Sequence, residues 1–332
     1  MGMPMRPHRW NPPRPTARAR QTTSVPPLPP VRLLPLPGTA PEDVVVTPEG
    51  RVVTGTDDGT IWSIDPTDGT HERIARVKGR PLGLHADADG SLLICVTGQG
   101  ILRLAHPGAE PEVLVDEVDG EPLAFPSNVV RDTDGTVYFS IASRRWPFEQ
   151  WMGDILEHSG SGRLVRRDPD GTLAVLIDGL QFGNGVVLAP DRSCVLVAET
   201  GAYRISRCWL SGPRAGTHDH LVENLPGSPD NMYLGTDGLV WVGMVAPRNP
   251  LLDKLFALPG VFRRLTWALP DSLSPAPART TWVLALDLDG TVVHDLQRDG
   301  TGFAMVTSVA EHDGTLYLGS LSESAVAVST VP

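Results

Sequence analysis

From residue 44 onward, short apolar runs alternate with polar turn residues, and one arrangement recurs. A two-residue turn opens a run of β-branched or aromatic residues at Pro48–Val53, Asp89–Ile94, Asp134–Phe139, Pro190–Val195, Asp237–Val242 and Asp313–Leu318. Alternation at period two after a turn dipeptide predicts a hairpin strand. Anchored on the second turn residue, the repeats fall at 50, 90, 135, 192, 238 and 314, with intervals of 40, 45, 57, 46 and 76. Further Asp-Gly turns at Asp58, Asp68, Asp170 and Asp289 lie between the anchors, as more hairpins of the same unit would. A strand-only unit of roughly 40–50 residues predicts propeller blades, each of four strands of about five residues. The sequence therefore predicts an all-β chain, a six-bladed β-propeller over residues 41–332. A β-sandwich with coincidental turns does not account for the regular spacing.

Two intervals are long and carry helical periodicity. Residues 147–157 place Phe148, Trp151 and Ile155 on one face, and residues 247–280 include two amphipathic stretches, 251–258 and 261–269. Propeller inserts decorate one face, so these predict short helices forming a lid, with Trp146 and Trp151 packing beneath it.

Composition changes the picture mainly at the amino end. Gly and Pro supply about one residue in five, which favours turns over long helices. Residues 1–41 hold six arginines and no acid, and the first 40 residues hold 11 prolines. Proline at that density feeds neither a helix nor a central strand, so residues 1–40 are expected to form a disordered Pro/Arg-rich arm. The arm lacks the apolar core of a secretory signal, and no apolar run approaches the roughly 18 residues of a membrane span. A soluble, cytoplasmic protein without an integral membrane segment is expected. The net charge of −11 speaks against nucleic acid as a partner, and three cysteines are too few for a disulfide framework or a zinc knuckle.

Candidate chemistry comes from the phase of the repeat. Seven or eight residues before each anchor, where the strand lining the channel begins, stand Glu42, Leu82, Asn128, Asn184, the pair Asp230 and Asn231, and Thr307. Five of these, Glu42, Asn128, Asn184, Asp230 and Asn231, are carboxylates or amides without a histidine or cysteine. An all-oxygen donor set with two negative charges suits Ca²⁺ and disfavours zinc or copper. Leu82, Thr307 and Trp146 are expected to wall a pocket for a small-molecule substrate. His158, His218 and His220 fall in polar connecting segments and are expected in solvent.

The segments Gly162–Arg166, Phe182–Val186, Ala198–Thr200, Trp209–Pro213, Asn224–Asn231 and Glu311–Ser320 resemble the strictosidine synthase-like branch of the six-bladed propeller superfamily, which includes the adipocyte plasma membrane-associated proteins. The wider superfamily holds gluconolactonases, paraoxonases and diisopropylfluorophosphatase. The resemblance implies calcium in the channel, held by the same five residues. It also marks departures. Strictosidine synthase uses a glutamate on its last blade where this chain has Thr307, and paraoxonases use a channel histidine where it has Leu82. A calcium-dependent hydrolase of esters or lactones fits these absences, with Asp230 as base or nucleophile. The alternatives are a synthase of natural-product metabolism, which Thr307 opposes, and a non-catalytic propeller with structural calcium.

Overall fold

The computed structural model describes residues 3–269 and 278–332. Six antiparallel sheets of four strands follow one another around a channel. Blades 1 to 5 span 44–76, 81–115, 126–180, 183–222 and 227–299. Blade 6 takes three strands from 306–330 and its fourth from the amino end. Every repeat anchor lies in the turn joining the first, innermost strand of its blade to the second. Gly50, Gly90, Gly135, Gly238 and Gly314 all have positive φ, as does Arg192 at 57°. Five glycines meet that left-handed requirement without a side-chain penalty, which is why the turn signal was legible.

Blade 6 corrects the expected domain boundary. Arg32–Pro35 pairs antiparallel with Ala325–Val328, so the propeller begins at residue 32 rather than 41. The arm before it is not free either. Leu28 is fully buried beside blades 5 and 6. Arg18 forks onto Asp295 at 2.5 and 2.7 Å while its guanidinium lies 4.6 Å from the centre of the Trp282 ring. Proline removes amide donors but leaves carbonyls, and arginines of the body use them. Arg263 donates to the His8 carbonyl (2.8 Å), Arg264 to that of Met5 (3.2 Å) and Arg248 to that of Pro13 (2.8 Å).

The helices are α1 (Trp151–Glu157), α2 (Pro250–Ala257) and α3 (Gly260–Trp267). Residues 270–277 of the second predicted insert lie outside the described residues. Each insert joins the second strand of its blade to the third, α1 in blade 3 and α2 and α3 in blade 5. In an antiparallel blade that connection lies at the end where the inner strand begins. Both inserts therefore cover the mouth that holds the candidate residues. The arm ties them together: the His8 N–H donates to Glu157 and that of Trp10 to Phe256. Trp10 stacks on His158 with centroids 4.3 Å apart and meets the Phe256 ring edge-on at 5.2 Å. His158 is thus buried under the arm, against expectation. Burial, followed by the charges of Arg263 and Arg204, lowers its pKa to about 3 and keeps the ring neutral.

Closure by the amino-terminal strand gives a direct stability test. Leu34 is buried between blades 1 and 6, whereas Leu33 points outward. Leu34→Ala is expected to cost about 2–5 kcal/mol in urea unfolding, and Leu33→Ala within about 0.5 kcal/mol of nothing.

Candidate metal and substrate site

Five of the six inner strands carry a bulge at the same place. The pairing slips by one residue between Pro81 and Leu84, Pro126 and Val129, Gly183 and Val186, Pro229 and Met232, and Val306 and Ser308. An extra residue in one strand turns two consecutive side chains away from regular alternation. The two-residue units are Leu82-Gly83, Ser127-Asn128, Asn184-Gly185, Asp230-Asn231 and Thr307-Ser308. Glu42-Asp43 precedes the short inner strand of blade 1. An aliphatic or Met residue follows each: Val44, Leu84, Val129, Val186, Met232 or Val309.

Hydrogen bonds sort these units into two tiers. In the outer tier Ser127 Oγ donates to Asn184 Oδ1 (3.1 Å), and the Asn184 amide donates to Thr200 (3.2 Å). Thr307 Oγ1 donates to the Glu42 carbonyl (2.6 Å), which fixes the backbone behind the Glu42 carboxylate. In the inner tier Asn128 Nδ2 donates to Asp43 Oδ2 (3.1 Å) and to Asn231 Oδ1 (3.0 Å), while Asn128 Oδ1 accepts the Val186 N–H (3.0 Å). Asp43 also accepts from the backbone of Val44 (2.9 Å) and Leu84 (2.8 Å). A cavity of ≈ 330 Å³ at the far mouth is lined by Asp43 and Asn128, but not by Glu42, Ser127, Asn184 or Asp230. That fixes which tier faces which mouth. Glycine is needed at the second position of two units because neighbouring inner strands come too close for a side chain. A Cβ on Gly83 would stand 2.4 Å from Asn128 Cα, and one on Gly185 2.3 Å from the Met232 nitrogen.

The five predicted ligands therefore converge on the channel without forming one ring. Glu42, Asn184 and Asp230 share the lid-side tier. Asn128 and Asn231 belong to the tier below, their oxygens held by the Val186 N–H and the Asn128 amide, whereas Asn184 Oδ1 accepts only the rotatable Ser127 hydroxyl. Ser127, not Asn128, is the outer-tier residue of blade 3. Asp43 was missed altogether, although it sits beside Glu42.

Charge decides what this site wants. Glu42, Asp43 and Asp230 are all buried, with Arg80 Nε donating to Glu42 Oε2 (3.2 Å) as the neighbouring cation. Three carboxylates against one guanidinium leave two negative charges in low dielectric. Burial raises the Glu42 pKa, opposed by Arg80. Asp43 is pushed up to about 7, by burial first and the Glu42 charge further down, although Leu84 and Val44 N–H bonds oppose this. Asp230 is raised well above the carboxylate range by burial and then by Glu42, with the Asn184 amide working the other way. Asp230 Oδ1 is buried without a hydrogen-bond partner. Among the described residues no group of three or more His, Cys, Asp or Glu side chains has metal-site geometry. A cation here depends on amide oxygen as well as carboxylate. An orphaned carboxylate oxygen, two uncompensated negative charges and only oxygen donors fit a hard divalent ion held by Glu42, Asn184 and Asp230.

Apolar side chains pack between this tier and the lid. Leu82 is buried in a cluster with Phe125, Ile155, Phe182 and Phe256, and Phe148, Trp151 and Trp10 pack against it. Thr307 is fully buried and spends its hydroxyl on Glu42, so it acts as a brace. Trp146 stands apart: it is buried with Met5 and Leu156, meets Trp267 at 5.3 Å, and lines a side cavity of ≈ 220 Å³.

Comparison with known proteins agrees with this architecture. The strictosidine synthase family profile matches residues 128–213, and that of the strictosidine synthase-like N-terminal region matches residues 28–64. Protein strictosidine synthase-like 10 of Arabidopsis thaliana is 33% identical over 312 residues, covering 85% of this chain and 82% of the plant protein. The adipocyte plasma membrane-associated protein of Homo sapiens is 34% identical over 292 residues, covering 80% and 70%. Among solved structures, a gluconolactonase from Xanthomonas campestris superposes with a TM-score of 0.65 at 18% identity, over 99% of this chain and 98% of that one. Regucalcin, a calcium-binding protein from Agrobacterium tumefaciens, gives 0.62 at 13%, over 91% and 93%. The gluconolactonase and regucalcin share the fold at distant identity, whereas the plant and human proteins match most of the chain at a third of its residues. The chain belongs to the strictosidine synthase-like family of six-bladed β-propellers.

Proposed function

We propose that the protein is a calcium-dependent hydrolase of esters or lactones. The observation that carries this is the outer tier: Glu42 and Asp230, buried and short of positive charge, beneath the apolar side chains of the lid, with Asp230 Oδ1 unpartnered. Glu42, Asn184 and Asp230 would hold the ion, which when bound would supply a Lewis acid for the substrate carbonyl oxygen. The chain's own residues do the rest. Leu82, Phe125 and Phe182 exclude water other than the reacting molecule and seat an apolar acyl or aryl group. Asp230 takes a proton from the attacking water at Oδ1 and returns it to the departing alkoxide oxygen. The Thr307 hydroxyl and Arg80 hold Glu42 in position and spare Asp230 from that duty. That the gluconolactonases and the luciferin-regenerating enzyme share the fold supports the reading.

A synthase role, which the family name suggests, needs a carboxylate at the last blade's pocket position. Thr307 stands there. The one acid on that inner strand, Glu311, is engaged at the opposite end by the Thr236 hydroxyl (2.9 Å) and the Gly314 N–H (2.7 Å).

Purified protein is expected to hydrolyse an aryl ester or an aliphatic lactone, and to stop when calcium is chelated and resume when it is restored. Asp230→Asn should lower kcat/KM by about 10²–10⁴. Full activity after chelation, confirmed by elemental analysis, rules the proposal out.

Metal binding has its own signature in melting. Adding Ca²⁺ at about 100 times its Kd should stabilise the protein by about 2.7 kcal/mol, and Glu42→Gln should remove most of that gain. Protons compete for the same oxygens, and the folded-state pKa values of Glu42 and Asp230 lie above their unfolded values. The repulsion that the ion relieves is therefore absent below the unfolded pKa and grows as pH rises towards the folded one. The calcium-induced rise in Tm should be larger at pH 7.5 than at pH 4.5.

A further inference from the structure

Arg80 lies between the outer tier and the lid, and its surroundings ask for a ligand. Its backbone is pinned on both sides: the N–H donates to Thr97 Oγ1 (2.9 Å), and the carbonyl accepts the Thr97 N–H (3.0 Å). Its guanidinium reaches Glu42 through Nε and packs over the Phe148 ring at 5.0 Å. Nη2 is buried and has no hydrogen-bond partner. A guanidinium presents five N–H donors in a rigid planar fork, and a buried one left unsatisfied is costly. Pairing with Glu42 uses one edge of the fork. Phe148, the lid side chain stacked on the guanidinium, offers no acceptor.

We infer that Arg80 is the specificity-determining residue of the site, and that the substrate class is an ester or lactone bearing an anionic group, a carboxylate or phosphate, at its far end. An anion on Nη2 satisfies the orphaned donors by charge-assisted bonds while its apolar stem lies against Phe148 and Leu82. The reacting carbonyl then falls towards Glu42 and Asp230. This rests on the hydrolase proposal for the chemistry, but recognition by Arg80 is separable from it, because it predicts binding whether or not any ester is cleaved.

The test is calorimetric binding to the calcium-loaded protein with two isosteric probes, 3-phenylpropionate and 3-phenylpropionamide. The carboxylate is expected to bind about 10-fold or more tightly than the amide. Arg80→Gln should abolish that preference, and Arg80→Lys should keep part of it, because the charge remains while the fork is lost. Equal affinities in the wild-type protein overturn the inference. So does a preference that survives Arg80→Gln, which assigns the anion to the bound ion. Melting curves report whether Arg80→Gln is folded; if it is not, the wild-type and Arg80→Lys pair decides, with an undiminished preference in Arg80→Lys counting against Arg80. Failure of ester hydrolysis alongside a surviving Arg80-dependent preference removes the hydrolase reading and leaves this one standing.

Discussion

Inner strands of a propeller run side by side down a narrow channel, and a regular strand would send only alternate side chains into it. One extra residue at the start of five of these strands breaks that alternation and gives each blade two consecutive positions to fill. The two tiers follow from it. So does the concentration of charge, because Glu42, Asp43 and Asp230 are brought together from blades 1 and 5, far apart in sequence. Burying three carboxylates beside one arginine costs free energy that the blades' cores must offset. Unfavourable charge maintained by a stable scaffold is the mark of a site built for a ligand.

The two tiers do different work. The inner one has its oxygens engaged: Asp43, Asn128 and Asn231 bond to one another and to backbone N–H groups of three blades, stitching blades 1, 2, 3, 4 and 5 across the channel. Its members are short of free oxygens. The outer tier is not saturated. Asp230 keeps a bare oxygen, and Glu42 is held from behind by Thr307 and from the side by Arg80. The rigid lower tier positions the open upper one, just as the glycines at 83 and 185 let the strands approach closely enough for those bonds to form.

Blade number, turn phase and the lid were legible in the sequence because each rests on local chemistry: the left-handed glycines of the turns, period-two strands, and helical spacing in the inserts. The channel-lining positions at the lid-side mouth were legible to within one residue. A constant offset of eight from the turn reaches Glu42, Leu82, Ser127, Asn184 and Asp230; preferring an amide to a hydroxyl moved the blade 3 position to Asn128. That slip exchanges a lid-side residue for one in the tier below, because a bulge makes neighbours in sequence belong to different tiers. Asp43 escaped notice for the same reason. The arm was misjudged through a different physical error. Prolines keep residues 3–31 out of sheet pairing, but the carbonyls of the arm remain strong acceptors, and Arg248, Arg263 and Arg264 supply donors to those of Pro13, His8 and Met5.

Asymmetry around the channel is the reason the proposed proton transfer is given to Asp230 rather than Glu42. Both carboxylates are buried and both are raised. Glu42, however, already has a cation at 3.2 Å and backbone fixed by Thr307, so any proton it took would weaken the ion pair with Arg80. Asp230 faces Asn184, a neutral amide, and its Oδ1 has nothing to lose. The group whose protonation disrupts least is the one free to exchange a proton during a reaction. Opposite them the blade 2 position is Leu82, with no polar atom, so under the hydrolase proposal a substrate's apolar part would lie against that wall and its carbonyl would turn towards blades 1, 4 and 5. Six blades of similar backbone thus present one polar arc and one apolar arc, and the difference between them is what would orient a ligand in the channel mouth.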